Sequence, residues 1–91
     1  MTKEAIIAAI DTKIAGSDPE IWQIGVSNDP VAEERYWSGT VMKKTFFWAH
    51  WQADSLADAR FIASHYILWK GMKNKEEVRA LVEGPVYVYL F

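Results

Sequence analysis

The sequence predicts a small α+β domain, with a three-stranded, mainly antiparallel sheet flanked by helices. Three observations predict it. Segments whose apolar residues recur at helical spacing alternate with short runs of β-branched and aromatic residues. Clusters of Gly, Pro, Asn, Asp and Ser separate these segments. The resulting order is helix, strand, helix, strand, helix, helix, strand, with no internal repeat and no low-complexity tract. At 91 residues, about half of them apolar, the chain reads as one domain over 1–91 with enough material for a real core.

Each element has its own signal. "TKEAIIAAIDTKIAG" predicts a helix over 2–15. Thr2 caps it, Glu4 suits its positive end and Gly16 stops it, while Ile6, Ile10 and Ile14 make an i, i+4 stripe with Ile7 beside it. After "SDP", "EIWQIGVS" reads as the first strand, with Trp22, Ile24 and Val26 on one face and Ile21, Gln23 and Gly25 on the other. Asp29 as cap and Pro30 in the first turn start a helix that runs to about Trp37, where "SG" ends it. "TVMKK" (40–44) reads as loop or strand start. "TFFWAHWQ" (45–52) is aromatic on both faces and so predicts a central strand, with Phe46 and Trp48 opposite Phe47 and Trp51. "ADSLADARFIASHYILWKG" is the longest helix, capped by Ser55 with Asp58 and closed by Gly71. "NKEEVRALVEG" reads as a short helix with Asn74 as cap and Gly84 beyond its end. "PVYVYLF" reads as the final strand, with Pro85 at its permitted first position.

Composition bounds the function. With no cysteine there is no disulfide, thiolate metal site or cysteine nucleophile. The apolar runs fall short of a membrane span and the N-terminus lacks a signal-peptide pattern, so a cytoplasmic protein without membrane contact is expected. The net charge of −2 is uneven: residues 1–34 carry −5 and residues 35–91 carry +3. Nucleic-acid binders draw affinity from a clear basic surplus, and the surplus here is weak and confined to the C-terminal part.

The stretch Ile24-Gly25-Val26-Ser27-Asn28-Asp29-Pro30 resembles the GIY-YIG nuclease superfamily, in particular small bacterial and phage proteins with a Trp-x-Ile-Gly-Val-Thr-Asn-Asp-Pro turn. One match covers residues 21 to 35. A second covers "ADSLADARFIASHYILWKGMK", with Ala59-Arg60 where the group has Ala-Arg before its Val/Ile-Glu. The resemblance implies a strand leading into an arginine-bearing helix and a later helix whose glutamate holds a divalent metal. Arginine and metal would stabilise charge on a phosphodiester while a tyrosine or water pathway supplies the nucleophile. This chain departs from that pattern. Gln23 stands at the tyrosine preceding Ile-Gly, Glu33 at the arginine and Ala63 at the metal glutamate, and the segment upstream is a helix rather than a "GIY" strand. A scaffold can outlive its chemistry. The reading is therefore a GIY-YIG-like binding module without catalysis, with no cofactor, and with a protein partner or a second copy as its target. A phage or mobile-element inhibitor fits that picture.

Candidate residues follow from each reading. Interface anchors are aromatic, because large rigid side chains bury much area at small entropic cost: Tyr36, Trp37, Tyr66 and Trp69. In "FIASHYILWKGM", Phe61, Ile62, Tyr66, Ile67, Leu68 and Trp69 exceed a single helical stripe, so the helix is either buried on several sides or carries an exposed apolar patch. A metal-dependent endonuclease would need displaced groups: Arg35 or Arg60 for phosphate, Tyr36 as nucleophile, and Glu34 or Glu77 for Mg²⁺ or Mn²⁺. A non-catalytic nucleic-acid binder would rest on Arg60, Lys70, Lys73 and Arg79, with Tyr87, Tyr89 and Phe91 as stacking surfaces. His50 and His65 lack a third ligand at useful spacing and read as structural. Asp54, Ser55 and Asp58 read as helix capping, and Ser27 has no histidine–acid pair that would make it a nucleophile.

Overall fold

The computed structural model of the chain describes residues 1–40, 45, 47–74 and 81–91. Its elements are α1 (Lys3–Ile14), a 3₁₀ turn (Pro19–Ile21), β1 (Ile24–Ser27), α2 (Pro30–Arg35), a widened π turn (Tyr36–Thr40), β2 (Ala49–Ala53), α3 (Leu56–Lys70) and β3 (Val86–Leu90). The sheet order is β1-β3-β2 and both pairings are antiparallel, so the α+β class holds.

The helix ends are built by the residues that signal them. Thr2 Oγ1 accepts from the Ala5 N–H (3.2 Å), Asp29 Oδ1 from Ala32 (3.1 Å) and Ser55 Oγ from Asp58 (3.0 Å), each satisfying an amide with no partner inside its helix. Gly71 closes α3 in the left-handed region (φ 73°), where a side chain would be strained.

The middle of the chain differs from expectation. The 3₁₀ turn, with Asp18 as cap and Pro19 in its first turn, takes up Glu20 and Ile21, so β1 starts only at Ile24. Gln23 still exchanges backbone hydrogen bonds with Phe91 (2.7 and 3.0 Å), and Lys73 bonds the other side of Trp22 and Ile24 (3.0 Å each). The second strand is Ala49–Ala53 rather than 45–52, and it lies at an edge of the sheet. Its burial alternates, as an edge strand's does, and the central position belongs to β3. Phe47 and Trp48, which helped suggest a central strand, serve another end. Trp48 stacks on Tyr89 (5.0 Å between ring centres) and on Phe91 (5.2 Å), and Phe47 is 68% exposed. The possible strand start at 41–44, Phe46, and the greater part of the helix expected over 74–83 lie outside the described residues. Leu81 and Val82 are described and are not helical.

The core sits between the helices and one face of the sheet. Ile6, Ile10 and Ile14 from α1, Ala59, Ile62, Ala63 and Tyr66 from α3, and Val86, Val88 and Leu90 from β3 close on one another. Tyr66 ties the two helices together. Its hydroxyl donates to Asp11 Oδ1 (2.6 Å) and to the Ile7 carbonyl (3.1 Å). Burial, and then the neighbouring Asp11 carboxylate, push the Tyr66 phenol above its ordinary range. The opposite face of the sheet carries an aromatic layer in which Trp37 and Trp48 meet Phe91 and His50 meets Tyr87 edge-on. Among the described residues no helix is long and apolar enough to cross a membrane.

Candidate functional site

The turn after β1 is held by its own side chains. Ser27 Oγ accepts from the Asp29 N–H (2.9 Å), and Asp29 caps α2. Asn28 reaches across the chain: its amide donates to the carbonyls of Val82 (3.0 Å) and Pro85 (2.9 Å), and its oxygen accepts from the Val82 N–H (2.9 Å). Each of the three polar side chains thus has a structural bond. Glu33 is buried (4% exposed).

Beside that turn, where β1 meets α3, lies a hollow of about 220 Å³ lined by Gly25, Val26, Arg60, Ala63, Ser64, Ile67, Asn74 and Tyr89. Four separate elements of the chain converge here. β1 brings Gly25, α3 brings Arg60 and Ser64 one turn apart, the chain after α3 brings Asn74, and β3 brings Tyr89, the register partner of Gly25. The Tyr89 ring lies directly on Gly25, where any side chain would collide with it. That close approach explains the glycine. Arg60 is exposed, and among the described residues it makes no ion pair.

This is a polar, cation-bearing hollow suited to an anion. Mg²⁺ and Mn²⁺ seek anionic oxygens, whereas among the described residues this lining offers a guanidinium, two hydroxyls and an amide. Ala63 lines the hollow with a methyl group. Among the described residues no three of His, Cys, Asp and Glu gather closely enough to hold an ion.

The other sequence candidates are scattered. Arg35 is exposed on α2 and Tyr36 sits edge-on against Trp37 (5.7 Å); neither lines the hollow. Of the phosphate-contact candidates, Arg60 lines the hollow, Lys70 and Lys73 are exposed near the end of α3, and Arg79 lies outside the described residues, as does Glu77. Glu34 is half-buried on α2, away from the hollow's lining. His50 Nδ1 accepts from the Trp48 indole (3.2 Å), while His65 lies flat against Phe61 on the outside of α3.

The four expected interface aromatics divide. Trp37 (2% exposed) and Tyr66 (0%) are interior, which corrects their assignment as surface anchors: the first packs on Phe91 and the second bridges the helices. Tyr36 is half-buried. Trp69 is 78% exposed, and it has company that sequence reasoning did not separate from the core: Leu68 (77%) and Phe61 (53%). Together with Ser64 and His65 these three enclose a shallow hollow of about 190 Å³ on the outer face of α3. Asn74, read as a helix cap, was missed as a site residue, and Tyr89, named as a stacking surface, was not linked to this hollow. The one signal for Tyr89 was the glycine in β1, which a facing aromatic ring can require.

Compared with models of known families, with curated proteins and with solved structures, the chain matches none.

Proposed function

We propose that this protein is a non-catalytic binding module on a GIY-YIG-like scaffold, and that it docks a protein surface with the outer face of α3. The observation that carries the reading is Phe61, Leu68 and Trp69 standing together in solvent on one side of a helix whose other side is fully buried. Exposed apolar residues scattered singly are ordinary; a contiguous aromatic and aliphatic patch on a small domain marks an interaction site. Large aromatics with a central hollow are also the usual anchors of protein interfaces. Supporting the absence of catalysis are Glu33 and Ala63 at the positions of the phosphate-binding arginine and the metal acid. A photo-reactive phenylalanine analogue placed at position 69 tests the reading in cells. It should give a discrete adduct that the same residue at position 38 does not. No adduct at position 69 would end the proposal.

A second reading has one specific observation in its favour, the hollow in which Arg60, Ser64, Asn74 and Tyr89 surround Gly25. A phosphate of single-stranded nucleic acid would pair with Arg60 there. That reading requires an affinity that falls steeply with salt and a loss of binding in Arg60→Ala. Among the described residues the endonuclease alternative shares Arg60 alone with that hollow, and it requires cleavage with Mg²⁺ or Mn²⁺. The binding-module reading expects none with either ion, on DNA or on RNA.

A further inference from the structure

We infer that an apolar cavity at the C-terminal end of α1 binds a small aromatic carboxylic acid. The site makes no use of the outer face of α3 or of the hollow at Gly25. It has a volume of about 450 Å³, about twice that of the Gly25 hollow, and its walls include Lys13, Ser17, Ile21, Trp22, Phe47 and Phe91. Concave sites of this size, apolar and aromatic with one or two placed polar groups, are the usual form of a small-molecule pocket. Two walls are fixed before any ligand arrives. The Trp22 indole donates to Ser17 Oγ (2.9 Å), whose own proton goes to the Ile14 carbonyl (2.6 Å), and Phe91 is held against Trp37 and Trp48. Phe47 leans on Trp22 (6.3 Å between ring centres, 60° between planes). Ile21 and Phe47 are each 68% exposed, so an occupant takes both out of water.

The lining also says what that occupant is. Three of its side chains are aromatic, and a ligand ring set among them gains tilted and offset contacts that a flexible aliphatic chain does not make. The hydroxyl and the indole N–H in the wall are already bonded to each other, which leaves the Lys13 ammonium to fix a polar group. Lys13 is half-buried, and among the described residues it makes no ion pair. The acids of this region are turned elsewhere. Asp11 accepts from Tyr66 of α3, Asp18 accepts from the Glu20 N–H, and the Glu20 side chain lies over Gly71; none of the three lines the cavity. In the last turn of α1 Lys13 suits the negative end of the helix, and a carboxylate gives it the ion partner that the described residues do not supply.

The probes are naphthoate, its neutral counterpart naphthamide, and octanoate, each titrated into the isotope-labelled chain and followed by NMR. Naphthoate should saturate below about 1 mM. It should shift the amides of Gly16 and Ser17 and the indole N–H of Trp22 while leaving Gly25 and Leu68 in place. Lys13→Met should weaken naphthoate about fivefold, the upper end for a partly exposed ion pair, and leave naphthamide unchanged. Lys13→Arg should restore naphthoate, and Phe47→Ala should weaken both aromatic probes. Lys13 and Phe47 lie outside the buried core cluster, so these variants should melt with the wild type. Shifts centred on Phe61 and Trp69, or on Arg60 and Asn74, would overturn the site. Naphthamide binding as tightly as naphthoate would overturn the carboxylate, and octanoate binding as tightly would overturn the ring. Saturation by none of the three would remove the cavity as a binding site.

Discussion

The inward and outward faces of α3 are made of similar residues and have opposite fates. Ile62, Ala63 and Tyr66 are buried against α1 and the sheet, while Phe61, Leu68 and Trp69, interleaved with them along the same fifteen residues, stand in solvent. Apolar composition alone therefore says that a face must be covered, not what covers it. The domain covers one side, and the other stands in solvent. The two sides should respond to substitution in different observables, stability inside and association outside.

Ile62→Ala should show the largest effect. Emptying a fully buried site in the core cluster that includes Val88 and Leu90 costs about 2–5 kcal/mol of stability, read from the denaturant midpoint. Gly25→Ala comes next. Its new methyl group must displace the buried Tyr89 ring, at about 1–3 kcal/mol in the same assay.

Tyr66→Phe removes the hydroxyl shared by Asp11 and the Ile7 carbonyl and should cost about 1 kcal/mol. It should also change the alkaline limb. The folded phenol is held neutral beyond the unfolded value of about 10, so its contribution is complete below that pH and is lost as pH rises through the higher folded value. Melting curves should fall less steeply above pH about 10 in Tyr66→Phe than in the wild type. If the two fall alike, the folded Tyr66 phenol is not held above its ordinary range.

Trp69→Ala closes the series. Its effect on monomer stability should stay within about 0.5 kcal/mol, while its effect on association should be large. A drop in stability comparable to that of Ile62→Ala would mean that Trp69 is covered within the monomer and that the two faces do not differ as described.

Much of this fold was readable from local signals. Thr2, Asp29, Ser55 and Gly71 act within a few residues of where they sit, and the Ile6–Ile10–Ile14 stripe needs only the helical period. Strand order was not readable. Phe47 and Trp48 suggested a central strand by being aromatic, but centrality is decided by which distant strand arrives between the others, and a local window carries no information about that. The α3 faces were ambiguous for a related reason. Where nearly every position is apolar, the period no longer tells inside from outside, and so Tyr66 and Trp69 looked alike. At the Gly25 hollow, Arg60 was legible through its place after Ala59, whereas Asn74 and Tyr89 lie 49 and 64 residues beyond Gly25 and reach the hollow only in the folded chain.

The position of β3 has a consequence for how the molecule is made. Because Val86–Leu90 lies between β1 and β2, and those two are not neighbours, a ribosome emits both outer strands before the one that can pair with either. A nascent chain lacking that segment has helices but no sheet, and the unpaired backbone of Ile24–Ser27 and Ala49–Ala53 must wait. Removing residues 86–91 would therefore cost the whole sheet rather than one edge of it.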